Sequence, residues 1–209
     1  MTYRALIFDV GGVLTTPVLG SFRLFCESEG LDLNDLRKAV GDLLNVLDDD
    51  HPVAQLEMGL MDVGPFETWL CGELNATFGT SIDAEGVGHR LVSNVELEQR
   101  MFDVLTKARE AAVKTGMLSN SWGRTDYGAL VDFFDGVVIS GAERLRKPDP
   151  RIYRLAAERV GVEAKACVFV DDVARNAEGA KAVGMHAIHH TDPDITIPQL
   201  EELFGLQLR

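Results

Sequence analysis

The stretch Arg4-Ala5-Leu6-Ile7-Phe8-Asp9-Val10-Gly11-Gly12-Val13-Leu14-Thr15 constrains the fold more than any other part of the chain. Its unbroken apolar run, residues 5–8, reads as a fully buried strand. The run ends in a single carboxylate, Asp9, and two glycines follow within three residues. A carboxylate at the end of a buried strand is costly unless it has a partner or a task. Ligands of open α/β sheets bind outside the carboxyl ends of the strands. Asp9 is therefore the centre of a candidate site.

The same pattern returns later in the chain. Thr115-Gly116-Met117-Leu118 reads as a short strand ending in Ser119-Asn120, and Ala166-Cys167-Val168-Phe169-Val170 as one ending in Asp171-Asp172. Two further strands are expected over 136–140 and 185–189. Helices are expected over 95–114, from Pro150 to about Val160 with Gly161 as its stop, from the paired acids to about Val183, and over 197–204. A shorter helical segment is expected over 127–133. Strands alternating with helices imply an α/β fold, a Rossmann-like, doubly wound parallel sheet with right-handed crossovers.

Residues 21 to about 92 break that alternation, with helical periodicity and no convincing strand. Leu36, Val40, Leu43, Leu44 and Leu47 predict one amphipathic helix. Phe66, Trp69, Leu70, Leu74 and Phe78 predict a second, closed by Gly79, and a third follows from about Asp83. The expected organisation is a core of residues 1–16 and 93–209, with a small α-helical cap, 17–92, inserted after the first strand. Phe22, Phe25 and Trp69 are expected to form the cap's own core. His51 and Glu57 are expected at ordinary capping or surface positions.

In one parallel sheet, the three polar strand ends converge on one edge. They suggest phosphoryl transfer through an aspartyl-phosphate. Asp9 would attack phosphorus. Asp9 and Asp172, with Asp171 as a second or outer acid, suit a hard cation such as Mg2+, which takes carboxylates, waters and substrate oxygens. Ser119 and Asn120 can hydrogen-bond the transferring oxygens, and Lys147, in Lys147-Pro148-Asp149-Pro150, can neutralise phosphate charge.

These motifs resemble those of the haloacid dehalogenase superfamily over essentially the whole chain. The matching residues are Phe8 to Leu14, Leu118-Ser119-Asn120, Arg146 to Pro150, and Val170 to Asn176. Ser119-Asn120-Ser121-Trp122 is similar to the phosphatase domain of the soluble epoxide hydrolases. The Asp-x-Gly form of the first motif is similar to the α-glucose-1-phosphate phosphatases. The resemblance implies that Asp9 is the nucleophile and that the Gly11 carbonyl joins a Mg2+ shell. It also implies that Gly12 lines the phosphate site and that Asn176 and Trp122 support it. In most relatives a second aspartate, two residues after the nucleophile, protonates the leaving group. Here that position is Gly11, which keeps the carbonyl and loses the acid; a water, or Glu57 or His51 of the inserted block, could replace it, although ordinary capping or surface positions are expected for both residues. Two other readings follow from that glycine: a phosphate-ligand-binding protein with weak or no turnover, and a metal-independent 2-haloacid dehalogenase. A smaller departure is Arg144, where relatives often carry glycine.

Composition narrows the partners. The chain has 209 residues and a net charge of −13, which opposes nucleic-acid or anionic-membrane binding. An anionic small molecule remains compatible, because a bound metal and one lysine reverse the local sign. The absence of a signal-peptide pattern and of metal-spaced cysteines implies a cytoplasmic protein with three buried free thiols. The sequence leaves open whether the chain is a monomer or a homodimer.

Overall fold

The computed structural model describes residues 3–44, 46–122 and 127–208. Five parallel strands form one sheet: β1 (Ala5–Phe8), β2 (Lys114–Ser119), β3 (Gly136–Ile139), β4 (Cys167–Asp171) and β5 (His186–His189). Their spatial order is β3-β2-β1-β4-β5. β1 is central, with Phe8 level with Met117 on one side and Val170 on the other. Successive side chains of a strand point to opposite faces, and each face of β1 meets its own layer. Leu6 and Phe8 pack with Met101, Leu105 and Leu200. Ala5 and Ile7 pack with Ile152, Tyr153 and Phe169. Helices α6 (Gln99–Glu110) and α10 (Pro193–Phe204) supply the first layer, and α8 (Pro150–Val160) and α9 (Ala174–Ala182) the second. An unbroken apolar run is what a strand covered on both faces requires. Each such side chain, taken fully out of water, contributes about 1.5–3 kcal/mol.

The block between β1 and α6 is helical: α1 (Val18–Ser28), α2 (Leu33–Val40), α3 (Pro52–Glu57), α4 (Val63–Phe78) and α5 (Val87–Val92). It buries its own cluster, including Phe22, Phe25, Leu56, Phe66, Leu70 and Leu74. The two chain crossings into this block run side by side. Thr15 bridges Leu97 in antiparallel sense, Thr16 donates to the Glu96 carbonyl, and Glu98 donates to that of Leu14.

Several sequence expectations need correction. The helix expected from Leu36 to Leu47 stops at Val40, because Gly41 takes φ 76° and caps it. Leu43 and Leu44 then lie in a turn, and Leu47 is 79% exposed. The helix expected from Asp83 begins at Val87, after a turn in which Asp83 Oδ1 accepts the Glu85 N–H at 3.0 Å. The helix expected over 95–114 covers only Gln99–Glu110, since Val95 to Glu98 form the second crossing and Ala112 turns to φ 60°. The final helix begins at Pro193 rather than Ile197, with Asp192 as its side-chain cap. The segment at 127–133 is a 3-10 helix over Gly128–Phe133, and α7 (Ser140–Glu143) is a short helix after β3. Arg144, where glycine is common in the resembled family, caps α7 at φ 54°, a left-handed conformation that glycine adopts freely. Cys26, Cys71 and Cys167 are buried free thiols. Among the described residues, no helix is long and apolar enough to cross a membrane.

Candidate active site

Adjacency in the sheet builds the site. β2, β1 and β4 are neighbours and parallel, so their C-terminal ends lie side by side. Ser119 ends β2, Asp9 follows β1, and Asp171 ends β4 with Asp172 next. Carboxylate oxygens of Asp9, Asp171 and Asp172 all come within 4.8 Å of one another. One cation enters this cluster. Lys147 Nζ, on a fully buried side chain, lies 2.9 Å from Asp9 Oδ1, 2.6 Å from Asp171 Oδ2 and 3.3 Å from the Leu118 carbonyl.

The three carboxylates differ in how far they are satisfied. Asp171 Oδ1 accepts from the Val173 N–H at 2.8 Å and Asn176 Nδ2 at 3.1 Å, and its Oδ2 from Lys147 and Asn176. All its capacity is used in holding Lys147 and Asn176. Asp9 receives the Val10 N–H, at 2.7 Å, and Lys147 on Oδ1, and among the described residues no donor reaches Oδ2. The Asp172 carboxylate receives no side-chain donor among the described residues. With all three carboxylates ionised, the cluster carries a surplus of two negative charges, which one divalent cation would balance.

The titration of these groups follows the same logic. Burial pushes Asp9 well above the usual carboxylate range, Lys147 offsets part of that, and Asp171 and Asp172 add to it. Burial, then Asp171, raise Asp172 to about 6. Burial alone would lower Lys147, but Asp171 and Asp9 outweigh it and hold the ammonium above its ordinary value.

The two glycines of the first motif have different reasons to be there. Gly12 sits at φ +71°, and a Cβ on it would lie 2.1 Å from Asp172 Oδ2. Its N–H donates to Thr15 Oγ1 at 3.2 Å. Gly11 faces the cavity, and a Cβ there would meet Val18 Cγ2 at 3.3 Å. Gly12→Ala is therefore expected to displace Asp172 and add backbone strain of about 1–3 kcal/mol. Thermal melting should show the lower Tm, and titration calorimetry a weakened affinity for divalent cations.

Around this cluster lies a cavity of about 540 Å³ between sheet edge and helical block. Among its lining residues are Asp9, Gly11, Ser119, Asn120, Trp122, Lys147, Asp172 and Asn176. Ser119 Oγ pairs with Tyr127 Oη at 2.7 Å. Asn120 spans two loops, accepting the Lys147 N–H at 2.8 Å and donating to the Lys147 carbonyl at 3.2 Å. Asn176 Oδ1 is buried, with no partner among the described residues. Trp122 packs 5.7 Å from Phe22 and 5.4 Å from Phe66, ring centre to ring centre.

Four residues outside the expected phosphate and metal seat also come to this site. Glu57 is not a surface residue: its side chain is 12% exposed, with Oε2 2.7 Å from Arg146 Nε and 3.4 Å from Asn120 Nδ2. Burial raises its carboxyl against the opposing pull of Arg146. Arg146 and Arg175 both donate to the Val46 carbonyl, and Arg175 also to that of Leu44, which ties the helical block to the sheet edge that carries the carboxylates. The flanking motifs could have flagged both arginines; Glu57 was a candidate only as a substitute acid, with a surface position expected, and nothing local marks Tyr127. His51 caps α3, accepting the Val53 N–H at 3.2 Å, as expected.

Comparison with known proteins accords with this geometry. A family model described as haloacid dehalogenase-like hydrolase matches residues 3–184. Phosphatase MT3486 of Mycobacterium tuberculosis is 30% identical over 90% of this chain and 87% of its own length. Sesquiterpene phosphatase astK of Aspergillus oryzae is 28% identical over 98% of both. Acyl-CoA dehydrogenase family member 10 of Mus musculus is 29% identical over 99% of this chain, which spans only 20% of that protein's length. Among solved structures, HAD family enzyme BT-2542 of Bacteroides thetaiotaomicron, in complex with magnesium and inorganic phosphate, is similar in fold. Its TM-score is 0.62 at 19% identity, over 90% of this chain and 94% of that one.

Proposed function

The chain belongs to the haloacid dehalogenase-like hydrolases, and on that premise we propose that it is a Mg2+-dependent phosphatase of small-molecule phosphates. One observation supports the reading: three acids cluster at the ends of the adjacent strands β1 and β4, one buried lysine pairs with Asp9 and Asp171, and among the described residues Asp9 and Asp172 keep carboxylate oxygens without a side-chain donor. The donor set is all oxygen with a two-charge surplus, which fits Mg2+. Asp9, Asp172 and the Gly11 carbonyl would hold it, with Asp171 behind them. When bound, it screens the negative charge of the phosphate from the attacking carboxylate.

The protein's own residues account for the rest. Lys147 holds Asp9 by Oδ1, so Oδ2 is the oxygen that attacks phosphorus. The P–O bond to the leaving group breaks as the Asp9 acyl phosphate forms. Water then attacks phosphorus, releasing inorganic phosphate and restoring the carboxylate. Asp171 acts through Lys147, and Ser119 and Asn120 face the phosphate oxygens. The block 17–92 acts as the cap.

Gly11 supplies no proton to the leaving group, and a positioned general acid is worth about 10²–10⁴-fold. Phosphate release should therefore depend on Mg2+, stop with EDTA, and be faster from acetyl phosphate than from a simple alkyl phosphate. Gly11→Asp, which asks Val18 to yield a few tenths of an ångström, should narrow that gap by about tenfold or more. Metal-independent chloride release from 2-haloacids would overturn the reading. So would phosphate binding without release from any ester or anhydride.

A further inference from the structure

We propose that the organic part of the substrate is a hydrocarbon, so that the site takes phosphate esters of apolar alcohols of roughly a dozen carbons rather than sugar phosphates. The proposal rests on the phosphate seat described above and deepens that reading. Apart from Glu57, Gly88 and His89, the helical block lines the cavity with apolar side chains. Val18 and Phe22 come from α1, Leu44 from the turn after α2, Val63 from the start of α4, Val92 from α5, and Trp122 from the core. Of these, Phe22 was expected in the cap's interior. Phe22 does belong to that interior, yet it also faces the cavity together with Trp122, 5.7 Å away. Val63 and Val92 are 44% and 37% exposed, so apolar surface is left open beside the charged cluster. Trp122 follows Ser119-Asn120-Ser121 directly, so the apolar wall starts three residues from the polar seat.

A sugar would find few partners on this wall. Glu57 Oε2 is taken by Arg146 and Asn120. The Thr15 hydroxyl is engaged with the Val10 and Thr16 carbonyls and the Gly12 N–H. The terminal nitrogens of Arg175 are bonded to the Val46 and Leu44 carbonyls. Exposed His89, Glu57 Oε1 and the buried Arg175 Nε, which has no partner among the described residues, are the few polar groups left for a sugar beside this wall. A hydroxyl buried without a partner weakens binding by roughly ten- to a hundredfold, and a sugar would bury several. At about 30 Å³ per water-sized group, a cavity of about 540 Å³ holds a phosphate and roughly a dozen carbons. That volume lies within the usual range for small-molecule sites.

Two series separate this proposal from the phosphatase reading itself. The first is calorimetric binding, with Mg2+ present, of methyl, butyl, hexyl, octyl and decyl phosphonates, which cannot be hydrolysed, below their micelle concentrations. The second is kcat/KM for the matching alkyl phosphates and for glucose 6-phosphate. Affinity and kcat/KM should rise about three- to fourfold per methylene until the cavity fills, with glucose 6-phosphate at least a hundredfold below octyl phosphate. The Val63→Thr/Val92→Thr double variant, at two exposed positions, should lower octyl phosphonate affinity about tenfold. Phosphonate affinity that ignores chain length, or a preference for glucose 6-phosphate, overturns the proposal and leaves the phosphatase reading standing. Chain-length-dependent phosphonate binding without phosphate release from any ester supports the proposal and overturns the phosphatase reading.

Discussion

Asp9→Asn is expected to abolish phosphate release, by on the order of 10⁴-fold or more, while raising the Tm of the metal-free protein. On the proposed mechanism, the loss follows from removing the attacking oxygen. The gain follows from charge. Asp9, Asp171 and Asp172 crowd around one ammonium, and burial and the neighbouring acids push Asp9 well above the usual carboxylate range. A carboxyl whose value is raised on folding binds its proton more tightly in the folded state. Its effect on stability is best at low pH and worsens as pH rises from the ordinary carboxylate range through the raised value. Asparagine keeps the shape and removes that penalty. Each 1 kcal/mol recovered is worth about 2–4 °C for a chain of this size. Melting curves at pH 4 and pH 8, without metal and with Mg2+, test it. The wild type should lose more Tm between the two pH values than the variant does, and Mg2+ should narrow the gap. A variant that melts well below the wild type in EDTA at pH 8 would refute the charge argument.

Lys147→Met is expected to fail in both respects. Among the described residues its ammonium is the one cation bonded to Asp9 and Asp171, at 2.9 and 2.6 Å, and the side chain is wholly buried. Methionine fills much of the volume and leaves the two carboxylates uncompensated. Removing one partner of a buried ionic cluster costs about 3–5 kcal/mol, so the Tm should fall on the order of 10 °C. Phosphate release should fall at least 10³-fold, since Asp9 loses the contact that fixes its Oδ1. The double variant Asp9→Asn/Lys147→Met should recover part of the stability and none of the activity, because residues in one network do not add. Additive losses of Tm in the double variant would show that the lysine and the aspartate are not coupled.

The elements best read from the sequence were those whose signal is local and strong. An apolar run at residues 5–8 is covered on both faces, and nothing but a buried strand satisfies it. Gly161 and Gly79 stop their helices in the left-handed conformation, as their positions imply. The helical block was harder. The apolar spacing from Leu36 to Leu47 satisfies a helix, but Gly41 ends it and Leu47 reaches solvent. Periodicity records which faces an apolar residue could share and is silent on where the backbone turns.

Motif order alone placed Asp9, Ser119, Asn120, Lys147, Asp171 and Asp172 as candidates, because strand ends of a parallel sheet must meet at one edge. Tertiary structure decided how they divide the work. Asp171 is saturated by Lys147, Asn176 and a backbone N–H, whereas Asp9 and Asp172 keep oxygens free, a distinction invisible in the string Asp171-Asp172. Glu57 and Tyr127 joined the site only through contacts across 63 and 8 residues of chain. The sequence thus determined the sheet, the edge and the charged set, since each depends on local pattern and chain order. The pairing of each charge and the apolar wall facing it depended on how a separate helical layer packs over that edge, which only long-range contacts decide.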